Sequence, residues 1–117
     1  MTEFTPGTTS SIPSLARLAV YAKSLRCAAL VHTIRCRETL RSQMLRAMDS
    51  VVLNIAEGAC DASRAQKQRY YGIARASLFE VAAAIDLVRI TQPNSPFDDL
   101  VAALSEVDRM LRALARL

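Results

Sequence analysis

Gln43, Arg46, Ser50, Asn54 and Glu57 recur every three or four residues in a stretch that is otherwise apolar. An amide, a guanidinium, a hydroxyl and a carboxylate in one line could do acid–base work or build a hydrogen-bonded network. At about 100° per residue of an α-helix, the five fall within an arc of roughly 80°. Leu40, Met44, Ala47, Met48, Val51, Val52 and Ile55 cover most of the remainder. Such surroundings push the polar line against neighbouring elements, where each unpaired group would cost about 1–3 kcal/mol. Arg46 and Glu57 lie about three helical turns apart and cannot pair within one helix. Partners are therefore expected on another helix, with Arg75 and Glu80 as candidates, or across a subunit boundary. The expectation is a buried structural network around Arg46, Asn54 and Glu57. Gly58 follows where a helix would need positive φ to stop.

Other constellations are weaker. Glu57 with Glu80 or Asp61 imitates a paired-carboxylate site, but di-iron bundles place a Glu-x-x-His unit on two helices and this chain has none. His32 is the one histidine, and Cys27, Cys36 and Cys60 match no metal-ligand spacing. They read as buried, reduced thiols of a cytoplasmic protein. There is no Gly-rich phosphate loop, Ser-His-Asp set or Cys-His pair. The chain is expected to be no enzyme, with no metal and no cofactor.

The elements that must carry these residues are helices. Hydrophobic residues make up 51% of the 117-residue chain and aromatics only 5%, a balance that suits helix-on-helix packing. Arg or Lys interrupts every apolar run before it could span a membrane. The N-terminus lacks the basic and apolar regions of a signal peptide, so residues 1–13 are expected to be a flexible tail and 14–117 one bundle.

A first helix is predicted from about Ser14 to Arg35, with one apolar face of Leu15, Leu18, Ala19, Ala22, Leu25 and Ala29. Val20, Cys27, Leu30, Val31 and Ile34 form a second face roughly 120° away. A lone bundle needs only one, so the second is expected to be a subunit interface. A second helix spans Leu40 to Glu57. The third opens on a capping box, Ser63-Arg-Ala-Gln66, and runs to about Thr91 with Tyr70, Ala74, Ser77, Leu78, Val81, Ile85 and Val88 inward. Ser95 is expected to cap the fourth, with Pro96 at its first position and Phe97, Leu100, Leu104, Val107, Leu111 and Leu114 as its buried stripe. Short links make consecutive helices antiparallel: an all-α, up-down four-helix bundle.

Charge is unevenly placed. Arg17 to Arg75 holds 11 basic and 4 acidic residues, a net of +7, whereas Ala76 to Leu117 nets −2. Arg35, Arg37 and Arg41 cluster at the first junction, and Arg64, Lys67 and Arg69 at the start of the third helix. Antiparallel packing makes these two basic rims at opposite ends, suited to RNA or DNA phosphates.

Gln43, Arg46-Ala47, Ser50 and Asn54-Ile-Ala-Glu57-Gly58 resemble the core motif of small bacterial four-helix-bundle proteins, often encoded within intervening sequences of large-subunit ribosomal RNA genes. Tyr70, Ile73-Ala74, Ser77-Leu78 and Glu80 are similar to that family's third helix, and Leu15, Val20, Tyr21 and Ser24 more loosely to its first. The likeness spans about residues 14 to 115. It implies an antiparallel bundle assembled as a ring-shaped homopentamer, with Arg46, Ser50, Asn54, Glu57, Gly58, Ser77 and Glu80 as its structural motif. Bundles of this shape also serve as accessory variability proteins of retroelement reverse transcriptases, an analogy at the level of fold. The expected function is a non-catalytic homo-oligomeric scaffold for structured RNA or a nucleic-acid enzyme such as a reverse transcriptase. The alternative is a protein–protein adaptor that binds no nucleic acid.

Overall fold

The computed structural model describes residues 12–16, 18–60 and 63–116. Five helices form among the described residues: α1 (Pro13–Ala16), α2 (Ala19–His32), α3 (Glu38–Ala59), α4 (Arg64–Thr91) and α5 (Asp98–Ala115). No strand occurs among the described residues. α3 packs on α2 and α4, and α5 packs on α4 and α2, so the four long helices occupy the corners of a quadrilateral. Short links reverse the chain between them, giving a four-helix bundle. None of the described helices is long and apolar enough to cross a membrane.

The apolar periodicities become one core. α3 contributes Leu40, Met44, Met48, Val51 and Ile55, and α5 contributes Leu100, Leu104, Val107 and Leu111, all at most 4% exposed. On α4 every residue of the expected stripe is buried except Tyr70, which is half-buried; its neighbour Tyr71 points inward instead. Ser63 begins α4 as expected: its hydroxyl accepts from the Gln66 backbone N–H, and the Gln66 side chain accepts from the Ser63 N–H.

Several boundaries differ from the sequence reading. The first helix is broken at Leu18, whose extended backbone separates the single turn α1 from α2. α3 starts two residues before the expected Leu40 and runs through Gly58. α5 starts at Asp98 with Phe97 as its N-cap residue, so Ser95 and Pro96 lie in the preceding link. The expected tail falls outside the described residues but for Ile12 and Pro13.

The largest correction concerns α2. Val20, Cys27 and Val31 are fully buried and Ile34 is 3% exposed, within the subunit's own core, and Leu30 packs against them. These residues therefore face inward and are not an outer interface. Ala19 and Ala29 of the other stripe are exposed. Within α2, Val20, Cys27, Leu30 and Val31 together outweigh Ala19, Ala22, Leu25 and Ala29, so turning them inward removes more apolar area from water. The thiols divide as well: only Cys27 is buried, and Cys60 is exposed.

Gly58 is required by packing. A Cβ there would sit 2.5 Å from Cε1 and 2.9 Å from Cδ1 of Tyr71, whose ring is only 3% exposed. Alanine in a helix interior ordinarily stabilises by about 0.5–1 kcal/mol over glycine. Here Gly58→Ala is expected to lower stability by about 1–3 kcal/mol through overpacking. Gly72→Ala, where a Cβ meets nothing within 4 Å, should not. Thermal melts followed by circular dichroism compare the two, and a raised midpoint for Gly58→Ala would mean that the ring yields freely.

Burial, against the lowering fields of Arg26 and Lys23, pushes the Cys27 thiol from 9.0 to about 11. Above pH 9.0 the unfolded thiol ionises while the folded one keeps its proton, so stability falls as pH rises towards 11. The same burial raises Tyr71 and acts in the same direction. Melting temperature is expected to decline across this window, and Cys27→Ala to flatten the decline. An equally steep fall in that variant would assign the slope to other groups.

Candidate functional site

The polar line of α3 divides into an inner and an outer part. Ser50 and Ser77 place their hydroxyl oxygens 2.7 Å apart where α3 crosses α4. Asn54, half-buried, donates through Nδ2 to the Ser50 carbonyl at 2.8 Å and to Ser50 Oγ at 3.1 Å. This Ser50–Asn54–Ser77 cluster satisfies the polar groups closest to the core. No buried side-chain nitrogen or oxygen among the described residues lacks a partner.

Arg46 and Glu57 form the outer part. Both are exposed, and neither makes a hydrogen bond or ion pair among the described residues. The expected buried network therefore ends at Asn54. Arg46 and Glu57 lie further round the helix than Ser50, so they reach solvent instead of α4. Glu80 is likewise exposed, and Arg75 pairs with Asp108 of α5 at 2.7 Å instead of with the α3 line. Asp108 also holds Arg112 at 3.3 Å. The arrangement has no nucleophile with an adjacent base, and no group of three His, Cys, Asp or Glu that could hold a metal occurs among the described residues. Asp61 lies outside them.

The six basic rim residues do stand at opposite ends, but half of them bond carbonyls at helix ends. Arg41 donates through one nitrogen to the Ile34 carbonyl and through the other to His32 O at 3.3 Å, closing the end of α2. Lys67 Nζ donates to Gly58 O at 2.8 Å and Cys60 O at 3.5 Å at the end of α3. Arg64 reaches Arg116 O at 3.3 Å, beside Gln68 on Ala115 O at 3.2 Å, at the end of α5. A helix C-terminus leaves carbonyls unpaired and carries partial negative charge, which a cationic donor answers twice over. Arg35 and Arg37 are exposed with side chains that pair with nothing among the described residues. Arg69 is exposed and lies 5.9 Å over the Tyr70 ring.

Sequence reasoning missed a further surface. A groove of about 510 Å³ runs between α4 and α5, lined in part by Phe79, Ala83, Asp86, Val101 and Arg112. Phe79 is 57% exposed, and Arg75 stacks 5.6 Å from its ring. Leu87 and Ile90 are also exposed on α4. The signal was present: these large apolar residues fall off the inward stripe of the third helix.

Arg41→Ala is expected to destabilise the fold by about 1 kcal/mol through loss of a charged cap, while Arg35→Ala and Arg37→Ala leave it within about 0.5 kcal/mol. Urea titrations of the three variants separate a capping residue from free ones. Equal midpoints for all three would remove the capping role.

Residues 16–113 match the model of the 23S rRNA-intervening sequence protein family, and the chain belongs to that family. No curated protein and no solved structure matches it.

Proposed function

We propose that this family member is a non-catalytic, cytoplasmic homo-oligomeric scaffold that binds structured RNA through its basic ends. The observation that carries the reading is the net +7 between Arg17 and Arg75, together with exposed Arg35 and Arg37 at one end, whose side chains are unpaired among the described residues, and exposed Arg69 at the other. Each chain offers few free cations, so the reading needs several copies whose rims add in one assembly. A ring of five follows the family resemblance. The apolar side chains Leu53, Phe79, Leu87 and Ile90, all at least 47% exposed, supply surface that self-association would cover. A nucleic-acid enzyme such as a reverse transcriptase is the protein partner that the analogy of fold suggests.

The exposed carboxylates of α4 and α5, Glu80, Asp86, Asp98 and Asp99, and the net −2 from Ala76 to Leu117 make the second half of the chain a poor surface for phosphate. Binding should therefore sit at the ends of the bundle and fall steeply between about 50 and 200 mM salt, as counterion release requires. Arg35→Ala with Arg37→Ala should weaken binding to a labelled RNA hairpin in gel-shift titrations while leaving helicity unchanged. Absence of binding at micromolar protein and low salt would sink the RNA reading and favour a protein–protein adaptor. The salt slope separates ionic binding to phosphate from apolar association.

A further inference from the structure

Two outer ridges of the bundle carry a cation, a large apolar residue and an anion in the same order along the chain, with mirrored spacing. On α3, Leu53 is 63% exposed and lies roughly opposite the inward face of Met44, Met48 and Val51. Arg46 stands seven residues before it and Glu57 four residues after it, both exposed and unpaired among the described residues. On α4, Phe79 is 57% exposed; Arg75 stands four residues before it and Asp86 seven residues after it. Asp86 is exposed and unpaired among the described residues. Arg75 shares Asp108 with Arg112, so this end of the ridge holds two cations around one carboxylate.

Laid antiparallel, one register sets Leu53 against Phe79, Arg46 against Asp86 and Glu57 against Arg75 at once. We propose that α3 of one copy docks on α4 of a second copy in this register. The proposal rests on the self-association put forward above and assigns the face that carries it. Leu53 and Phe79 provide the apolar contact, and the two flanking ion pairs fix direction and register. A parallel pairing that keeps Leu53 on Phe79 sets Arg46 against Gly72 and Glu57 against Ala83. It leaves a single ion pair, Arg75 with Asp49, so the antiparallel register has the better charge match.

The bundle geometry favours head-to-tail docking. α3 and α4 run antiparallel within a chain, and rotation about an axis along the bundle preserves their directions, so α3 and the next copy's α4 meet antiparallel as the register demands. A two-fold axis across the bundle would make them parallel. The ridges point outward from adjacent corners, roughly 90° apart, so repetition closes after about four or five copies.

Size exclusion with light scattering on the full chain tests this. The parent should run well above 12.8 kDa at micromolar concentration. Leu53→Asp and Phe79→Asp should each reduce the mass to one chain with helicity retained. Arg46→Glu should weaken assembly, and Arg46→Glu with Asp86→Arg should restore it. As a measurement independent of stability, Asp49→Cys with Ala83→Cys, in a background of Cys36→Ser and Cys60→Ser, should give an oxidation ladder of linked copies. A monomeric parent overturns both this docking and self-association. An assembly unchanged by both aspartate variants, or a charge swap without rescue or ladder, overturns this face and leaves self-association standing. RNA binding at the rims is read separately in every variant.

Discussion

The crossing of α3 and α4 is the contact on which the rest depends, and two close approaches fix it. Gly58 lets the Tyr71 ring lie against the α3 backbone, and Ser50 meets Ser77 further along the same pair. Sliding one helix by a turn would bring Tyr71 against Asn54 and leave a hydroxyl without its partner. A smooth apolar seam tolerates such slips; a gap that admits one ring and a hydroxyl pair does not. The family motif thus contains a register device, and α2 and α5 pack against a pair whose alignment is already set.

The helix ends impose a second constraint. α2, α3 and α5 end without a left-handed glycine, and long basic or amide side chains from the neighbouring element close them. Arg41 and Lys67 each come from the helix that follows, so each cap also ties a turn to its successor. A cation used in this way faces carbonyl dipoles that offset its field. Among the six rim cations, the attraction left for an external phosphate is concentrated on Arg35, Arg37 and Arg69, which sequence counts cannot distinguish from their capping neighbours.

Local features were legible. The Ser63 capping box needs only residues three apart, and the stripe of α5 is the one apolar face its sequence offers. The face of α2 was misread because both of its stripes are apolar; within Ala19–His32, weighing Val20, Cys27, Leu30 and Val31 against Ala19, Ala22, Leu25 and Ala29 by volume would have turned the larger set inward. Gly58 was read as a helix terminator because its true partner, Tyr71, lies on another helix. The polar line looked buried because Leu53, which lies beside Arg46 at the edge of the arc, was left out of the reading. A large apolar residue among unpaired charges marks an outer ridge, not an inner one.

The inner and outer halves of the motif are mechanically linked. Ser50, Asn54 and Gly58 set the height of α3 against α4, and that height sets where the ridge of Arg46, Leu53 and Glu57 stands relative to the ridge on the other corner. The internal contacts align Ser50 with Ser77 and Gly58 with Tyr71, whereas the proposed docking aligns Leu53 with Phe79. The two registers differ by three to five residues, an axial offset of about 4–7 Å. Copies stacked with bundle axes parallel to the assembly axis would climb by that amount at each step and build an open helix. A subunit tilted by about 15–20°, the ordinary crossing angle of packed helices, cancels the climb and lets the chain of contacts close. On this geometry, a change of register inside the subunit would alter the form of the assembly without touching its interface.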